Sequence, residues 1–262
     1  MSSSCSGVFS LASLPGWWWK HGTVPVIGLT GAIGGGKSQV AALLSKRGAV
    51  VIDADRVGHE VLEHSEVRRQ VIERFGAGVV EHGPDAAATP GSINRQALGS
   101  IVFAARPALD DLEAIVHPQM RRQFEAIIDR ESARGRAPMV VLDAAVLLEA
   151  GWDNLCDLLV FVAASQPVRL QRVARGRGWT AEVLQAREAA QWPREHKLSR
   201  ADIVIHNDSS LEILDQNVDR LFRLVTDRQS SDSRVSETPA SSRLSGSAAG
   251  FSAVTLQPGD PR

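Results

Sequence analysis

The sequence feature that most constrains this chain is a complete phosphate-binding loop motif, G-x-x-x-x-G-K-S, at Gly31–Ser38. Its glycines let the main chain wrap closely around a ligand, so that successive N–H groups face phosphate oxygens. The motif follows an apolar, strand-like run at 24–30 and precedes an amphipathic pattern from Val40, the strand–loop–helix context that phosphate binding requires. We expect Lys37 to reach the β- and γ-phosphates of a nucleotide and Ser38 to ligate Mg²⁺. The predicted nucleotide-binding residues are Gly31, Ile33, Gly34, Gly35, Gly36, Lys37, Ser38 and Gln39.

Four more apolar runs predict strands, at 50–52, 139–142, 158–162 and 203–205. Strands that are apolar throughout are buried on both faces, which is typical of a parallel sheet between helices. The sequence therefore predicts an α/β fold with a five-stranded parallel sheet in an open, doubly wound arrangement. An amphipathic helix from about Leu211 to Val225 is expected to close the fold.

The stretch between the second and third predicted strands has helical periodicity. We expect a helical insertion over about residues 60–135, with a break at Pro118 because proline disfavours helical backbone at the residue before it, His117. Insertions at the carboxyl edge of such a sheet commonly cover the ligand. A shorter insertion, a lid over about residues 168–195, is expected between the fourth and fifth strands.

The two ends of the chain differ from its middle in composition. Residues 1–23 are Ser-rich and include Trp17–Trp19, and residues 229–262 are rich in Ser, Ala, Gly and Pro without an apolar period. We expect both ends to be disordered, which leaves a domain of residues 24–228. The alternative for the first segment is a short interfacial anchor or partner contact through its tryptophans. A signal peptide is not expected, because the start lacks Lys or Arg and its apolar stretch is interrupted.

Charge and cysteine content argue against several classes of protein. The 262 residues carry 29 Lys and Arg against 30 Asp and Glu, a formal charge of -1, which argues against a strongly basic nucleic-acid binder. No apolar run approaches the roughly 20 residues needed to cross a bilayer. Cys5 and Cys156 cannot build a disulfide framework, so we expect a reducing, cytoplasmic location.

Acidic residues follow two of the predicted strands. Asp53 and Asp55 come at the end of the second strand, at the same edge as the loop, and would share one face of an extended strand. A kinase needs a carboxylate to accept the proton of an attacking hydroxyl, and Asp55 is the better placed of the two. The equally weighted alternative is that both acids cap a helix that starts near Arg56. Asp143, after the third strand, has the form of an acid that holds Mg²⁺ through water, and Glu149 is more weakly placed.

Basic residues cluster between the fourth and fifth predicted strands. Arg169, Arg172 and Arg175 follow one another at spacings of three, which places them on one helical face. Arginine donors on a closing lid would stabilise the charge of a transferred phosphoryl group. The alternative is a solvated basic face. The position of the run, where a lid would be inserted, favours the functional interpretation for some of these arginines.

The phosphate-binding loop alone is shared by many protein classes. The Asn-Lys-x-Asp motif of a GTPase is missing, and Asp143 is followed by Ala-Ala-Val where a switch motif would stand. The Ser-Gly-Gly-rich signature of a transport ATPase is also missing. A small phosphotransferase or an NTP-driven module remains.

Further blocks extend the pattern beyond the loop. They are Leu29–Ser38, Val51–Asp55, Arg95-x-x-Leu98 with Val102-Phe103, Ile115–Pro118, Leu142-Asp143 with Leu147–Glu149, Arg172-x-x-Arg175, Arg187-x-x-x-Gln191, and Lys197 with Ala201-Asp202 and Asn207. In this order they resemble the dephospho-coenzyme A kinase family, from about Val26 to Leu221. The resemblance implies a three-layer α/β/α P-loop kinase fold with a helical substrate-binding insertion and a small lid. It also implies ATP- and Mg²⁺-dependent phosphorylation of the ribose 3′-hydroxyl of dephospho-coenzyme A, the last step of coenzyme A synthesis.

The resemblance also implies roles for single residues. The expected catalytic residues are Asp55 as the base, Lys37, Arg172 and Arg175. The expected acceptor-binding residues are Asp53, Arg95, His117 and Arg121. The expected metal ligands are Ser38 and Asp143.

The sequence departs from the family pattern inside the loop, at Ala32, Gly35 and Gln39. Ala32 and Gly35 keep the loop small, whereas Gln39 lacks a hydroxyl and predicts modestly weaker nucleotide binding. Two other functions stay open at this point. One is a kinase for a nucleoside or another small alcohol, and the other is a non-catalytic nucleotide-binding module, against which the retained Lys37 and Asp55 argue.

Overall fold

The computed structural model describes residues 19–81, 91–235 and 254–256. The strands are β1 (Val26–Gly31), β2 (Val50–Asp53), β3 (Val140–Asp143), β4 (Leu158–Ala163), β5 (Ile203–His206) and β6 (Val254–Leu256). The helices are α1 (Lys37–Lys46), α2 (Ala54–Leu62), α3 (Ser65–Phe75), α4 (Arg95–Val102), α5 (Arg106–Arg134), α6 (Gln166–Arg177), α7 (Ala181–Ala189), α8 (Arg194–Ser199) and α9 (Leu211–Val235). Short 3-10 turns lie at Ala77–Val79 and Trp152–Leu155.

The sheet has the strand order β2-β3-β1-β4-β5-β6. The pairings of β1 with β3 and β4, of β4 with β5, and of β5 with β6 are parallel. All six residues of β1 are buried, as expected of a strand between two helical layers. The predicted α/β class with a parallel sheet is confirmed.

A sixth strand departs from the expectation of a structureless segment over 229–262. In β6, Val254 pairs with Ile203 of β5, and α9 also continues beyond residue 228 to Val235. Main-chain hydrogen bonds form a strand pairing, so a Ser- and Gly-rich composition does not exclude it. Residues 236–253 and 257–262 lie outside the described residues.

Helices cover both faces of the sheet. On one face α1 and α9 contribute residues such as Leu44 and Val218 to a core cluster that includes Ile27. On the other face Phe161 of β4 packs with Leu198 of α8. Successive strand residues point to opposite faces, so a strand that is apolar throughout serves both layers. The predicted three-layer arrangement is confirmed.

The described chain divides into two compact units. The first contains the residues up to Val51 and from Ile128 onward, including most of the sheet, and the second contains Ile52–Ile127. Within the second unit, Nε of Arg74 on α3 donates to Asp111 on α5 at 2.7 Å. No helix in the described ranges combines the length and apolar content that a bilayer crossing demands.

Helix α5 is a single helix of 29 residues with Pro118 inside it. The expected break at Pro118 and the expected non-helical backbone at His117 are therefore wrong. Proline removes one main-chain hydrogen bond from a helix, but the neighbouring turns bury Val116, Met120 and Phe124. We infer that this packing keeps the helix intact across the proline.

The end of the N-terminal extension is ordered from Trp19 on, whereas Trp17 and Trp18 lie outside the described residues. Trp19 is buried in the core cluster of the sheet unit. Asp157 accepts hydrogen bonds from the main-chain nitrogens of Lys20 and Val26, both at 2.7 Å. The expectation of disorder up to residue 23 is therefore wrong for residues 19–23, because one carboxylate ties this segment to the start of β1.

Candidate functional site

The loop between β1 and α1 has a shape that depends on its glycines. Gly34 and Gly36 adopt left-handed backbone, with φ of 76° and 95°. A Cβ on Gly36 would lie 2.1 Å from Nδ2 of Asn207, and a Cβ on Gly34 would lie 3.0 Å from the carbonyl oxygen of Arg169. At both positions an L side chain would therefore strain the backbone and force a neighbouring group to shift.

The start of α1 provides the positive end of a helix dipole to this loop. Helix α1 begins at Lys37, and its N-cap is Gly36, so no side chain caps it. Its first turn contains no acidic residue, and the N–H groups of that turn suit a phosphate. Lys37 is half-buried, and Ser38 and Gln39 are exposed. The loop therefore brings the predicted nucleotide-binding residues together as one anion-binding surface.

Asp143 lies at the end of β3, beside β1, because the parallel register sets it opposite Leu29. The carboxyl ends of parallel strands meet at one sheet edge, which is where the loop begins. Ser38 and Asp143 offer hydroxyl and carboxylate oxygens, the hard ligands that Mg²⁺ takes together with water and phosphate oxygens. The donor set therefore fits a magnesium–nucleotide complex. No group of three or more His, Cys, Asp or Glu residues suited to a metal ion occurs in the described part of the chain.

Arg172 of α6 binds the loop through its main-chain carbonyls. Its Nη1 lies 3.3 Å from the carbonyl oxygen of Gly35, and its Nη2 donates to the carbonyl oxygen of Asn207 at 2.9 Å and to the Oδ1 atom of Asn207 at 3.2 Å. Nδ2 of Asn207 in turn donates to the carbonyl of Gly35 at 2.9 Å. Arg172 and Asn207 therefore hold the loop in shape. Arg175 lies one turn further along α6 and is exposed.

Arg169 is a buried arginine that links the loop to α7. Its Nη1 donates to the carbonyl of Ile33 at 3.3 Å, and the same atom pairs with Glu188 of α7. The arginine spacing in the sequence singles out Arg169, but it gives no sign of this partner. A glutamate 19 residues further on becomes a partner only when α7 folds back along α6.

Asp53 and Asp55, at the end of β2 and just beyond it, belong to the second unit, and the strand does not continue as far as Asp55. Strand β2 ends at Asp53, and Oδ1 of Asp53 accepts a hydrogen bond from the main-chain nitrogen of Arg56 at 3.1 Å. The expectation that both acids share the face of an extended strand is therefore wrong, because Asp53 caps α2. The alternative, a helix cap, holds for Asp53. Asp55 lies in the first turn of α2 and is exposed.

The predicted acceptor-binding residues Arg95, His117 and Arg121 lie in the same unit. Arg95 begins α4 and is exposed. His117 and Arg121 are one turn apart on α5, and Nε of Arg121 donates to Glu125 at 2.9 Å. Burial lowers the pKa of His117 below its ordinary value of 6.5, so its imidazole is mostly neutral at neutral pH.

The second unit also has a cavity of about 610 Å³ between α3 and α5. Polar side chains line much of it, including His64, Gln119 and Arg122. Gln119 and Gln123 lie within hydrogen-bond distance of the two ring nitrogens of His64, at 3.3 and 3.1 Å. None of the predicted acceptor-binding residues lines this cavity.

Known proteins resemble the chain over the region that carries these features. Residues 25–212 match the family model of dephospho-CoA kinase. Over 193 aligned residues, the chain is 44% identical to a dephospho-CoA kinase from Streptomyces avermitilis. The aligned region covers 73% of this chain and 89% of that relative.

Solved structures share the fold. The crystal structure of TT1252 from Thermus thermophilus is 33% identical and superposes with a TM-score of 0.60, covering 83% of this chain and 99% of that chain. A dephospho-CoA kinase from Campylobacter jejuni, at 22% identity, superposes with a TM-score of 0.57 over 77% of this chain and 97% of that chain. The resemblance inferred from the sequence is confirmed: this chain belongs to the dephospho-CoA kinase family.

Proposed function

We propose that this chain transfers the γ-phosphoryl group of ATP to the ribose 3′-hydroxyl of dephospho-coenzyme A, giving coenzyme A and ADP. The observation that carries the proposal is the family match over residues 25–212, a range that includes the phosphate-binding loop and Asn207. The loop, Lys37 and the start of α1 supply the anion-binding groups that a phosphoryl donor needs.

The nucleotide is proposed to bind along Gly31–Gln39, with Ser38 and Asp143 holding its Mg²⁺. When bound, the ion would neutralise charge on the phosphates. Lys37 is proposed to hold the β- and γ-phosphates. Arg172 and Arg175 are proposed to stabilise the phosphoryl group during transfer.

Asp55 is proposed to accept the proton of the attacking 3′-hydroxyl. Its exposed place in the first turn of α2 leaves the carboxylate accessible to an acceptor. The proposed acceptor-binding residues are Asp53, Arg95, His117 and Arg121. The segment of about residues 60–135 is proposed as a substrate-binding insertion and that of about residues 168–195 as a lid, within a domain of residues 24–228. The cytoplasmic location also remains a proposal, based on cysteine content.

The test is an ADP-release assay with dephospho-coenzyme A, adenosine and AMP as separate acceptors. We expect turnover with dephospho-coenzyme A alone. Turnover with adenosine or AMP in its place would indicate a nucleoside or nucleotide kinase. Tight ATP binding with no turnover on any acceptor would indicate a non-catalytic module.

A further inference from the structure

Lys197 of α8 is a buried lysine, 1% exposed, that is held by three groups. Its Nζ lies 2.7 Å from Oε1 of Glu149, 3.0 Å from Oε1 of Gln191 and 3.3 Å from the carbonyl oxygen of Ala145. The same Glu149 oxygen accepts a hydrogen bond from the main-chain nitrogen of Trp192 at 2.9 Å. All of these residues belong to the sheet unit.

The contacts of Lys197 join two segments that flank the phosphate-binding loop Gly31–Ser38, the nucleotide loop. Ala145 and Glu149 lie in the turn that follows β3, directly after Asp143. Gln191 and Trp192 form part of the connection between α7 and α8. These contacts connect the turn that follows Asp143, the proposed metal ligand, to the segment directly after α7.

Helix α7 is itself linked to the nucleotide loop. Glu188 of α7 pairs with Arg169, which donates to the carbonyl of Ile33. The main-chain nitrogen of Gln191 donates to the carbonyl oxygen of Glu188 at 3.1 Å, so a continuous series of polar contacts leads from the turn after Asp143, through Lys197 and the end of α7, to the loop.

Stability alone does not explain this arrangement. A buried ion pair is weak evidence for stabilisation, since apolar residues of similar volume often serve as well or better. The network is also incompletely satisfied among the described residues, where Oε2 of Glu149 and Nε of Arg169 are buried and no described group bonds to either atom. A cavity of about 150 Å³ beside Ala32 and Ile33 is lined by Arg169 and Lys197. Departures of this kind from optimal satisfaction are expected at functional sites.

We propose that Lys197 and Glu149 are positioning residues for phosphoryl transfer. The pair fixes the turn after β3, and with it the carboxylate of Asp143, relative to the nucleotide loop. The inference rests on the proposed function, and it assigns neither residue a contact with a reacting atom. Groups that orient a metal ligand typically change metal affinity or activity by about 10- to 100-fold.

The test is the double variant Lys197→Met with Glu149→Leu. It removes both charges together and leaves no lone charge buried, so the remaining structural cost is the hydrogen bonds that Gln191, Ala145 and Trp192 lose. The matched control is Arg200→Gln with Asp153→Asn. In that pair, 2.6 Å apart, Arg200 is exposed and Asp153 is half-buried; the pair also links the end of α8 to the segment after β3 but lies outside the network. The measurements are the melting temperature, kcat, KM for ATP, and ATP affinity with and without Mg²⁺.

We expect the double variant to melt close to the wild-type temperature and to bind Mg²⁺-free ATP within about threefold of wild type. Its kcat should fall by about 10- to 100-fold, and Mg²⁺ should strengthen its ATP binding less than in wild type. The control pair should match wild type in every measurement. A folded double variant whose kcat lies within about twofold of wild type overturns the inference.

Two further experiments test the inference if the double variant does not fold or if the wild-type protein shows no turnover. If the double variant does not fold, Gln191→Leu removes one partner of Lys197 without exposing a charge, and a kcat within about twofold of wild type then overturns the inference. If wild-type protein shows no turnover of dephospho-coenzyme A, the proposed function fails separately. The effect of Mg²⁺ on ATP affinity then decides, because a reduced effect in the variant supports positioning and an unchanged effect overturns it.

Discussion

Asp53 accepts a hydrogen bond from the main-chain nitrogen of Arg56 at 3.1 Å and so caps α2. This contact gives different roles to two acids that stand two positions apart in the sequence. Asp53 satisfies an N–H group at the start of the helix, whereas Asp55 is exposed in the first turn. Of the two, Asp55 is therefore the better candidate for proton transfer.

Replacing Asp55 with Asn should remove the proposed general base and leave the fold intact. We expect kcat to fall by about 10²- to 10⁴-fold, because that is the usual contribution of a positioned base. ATP affinity and melting temperature should stay close to wild type. Steady-state kinetics with dephospho-coenzyme A and a thermal melt check this prediction.

The control for Asp55→Asn is Glu63→Gln, at the exposed C-cap of the same helix. This change removes one carboxylate from α2 away from its first turn, so kcat should be unchanged. If Asp55→Asn retains wild-type kcat, Asp55 is not the base.

Replacing Gly36 with Ala should damage the nucleotide loop. The residue has a φ of 95°, and its Cβ would lie 2.1 Å from Nδ2 of Asn207. We expect at least about a tenfold loss of ATP affinity, together with a loss of about 1–3 kcal/mol in the free energy of unfolding from left-handed strain and the clash. ATP titration and urea unfolding measure the two effects.

Gly178→Ala is the matched control for Gly36→Ala. Gly178 has a φ of 66°, and no atom lies within 4 Å of its hypothetical Cβ. It should therefore show the conformational strain alone and retain wild-type ATP affinity. Equal losses of ATP affinity in the two variants would show that contact with Asn207 is not the cause.

Replacing Asn207 with Asp should raise KM for ATP. The substitution keeps an acceptor for Arg172 but removes the donor to the carbonyl of Gly35 and sets a carboxylate against it. We expect about a tenfold increase in KM, the equivalent of one lost hydrogen bond at about 1.4 kcal/mol. Ser209→Ala, at an exposed neighbouring position, should leave KM unchanged. A normal KM in the Asn207 variant would exclude this residue from holding the loop.

The pH dependence of stability should reveal the half-buried imidazole of His117. Burial lowers its pKa in the folded protein below the ordinary value of 6.5. As the pH falls through that value, the unfolded chain takes up a proton before the folded chain does, so stability present at higher pH is lost. Urea unfolding of wild type and His117→Gln should therefore give stability curves that diverge below about pH 6.5, with wild type losing more.

His59→Gln is the control for the pH prediction, because His59 lies on α2 with its side chain exposed. Its stability curve should run parallel to that of wild type. Parallel curves for His117→Gln would show that His117 is not protected from protonation in the folded protein.

Deleting residues 236–262 removes β6, the parallel partner of β5. We expect a fall of about 2–4 °C in melting temperature, with kcat unchanged because the nucleotide loop and its contacts remain. Deleting 257–262 alone keeps β6 and should leave the melting temperature unchanged. A large loss of kcat in the longer deletion would show that the segment contributes to the site.

The nucleotide loop could be predicted from the sequence because its chemistry is local. The residues of Gly31–Ser38 are consecutive, and each glycine is informative by itself. The parallel sheet could also be predicted, since strands buried on both faces are apolar throughout. The prediction of a helix break at Pro118 was wrong because the local backbone preference of proline was weaker than the packing of α5.

Contacts between distant residues could not be predicted in this way. Lys197 and Ala145 are 52 residues apart, and Arg172 and Asn207 are 35 apart. Which side chains meet at such separations depends on how α6, α7 and α8 fold back along the sheet. The residue types alone indicated a basic segment and an isolated glutamate, Glu149, and gave no pairing between them.

Because Gly36 has no side chain, the amide of Asn207 can lie against the loop, and the two positions therefore constrain each other in evolution. Asn207 donates to Gly35, which is 172 residues away in the sequence, and its amide occupies the space that a Cβ at position 36 would need. A side chain at position 36 would require the amide of Asn207 to move away from the loop, and it would strain the left-handed backbone of Gly36 whatever residue stands at 207. Lineages that descend from this protein should therefore keep glycine at position 36, because a change at position 207 removes the clash and leaves the strain.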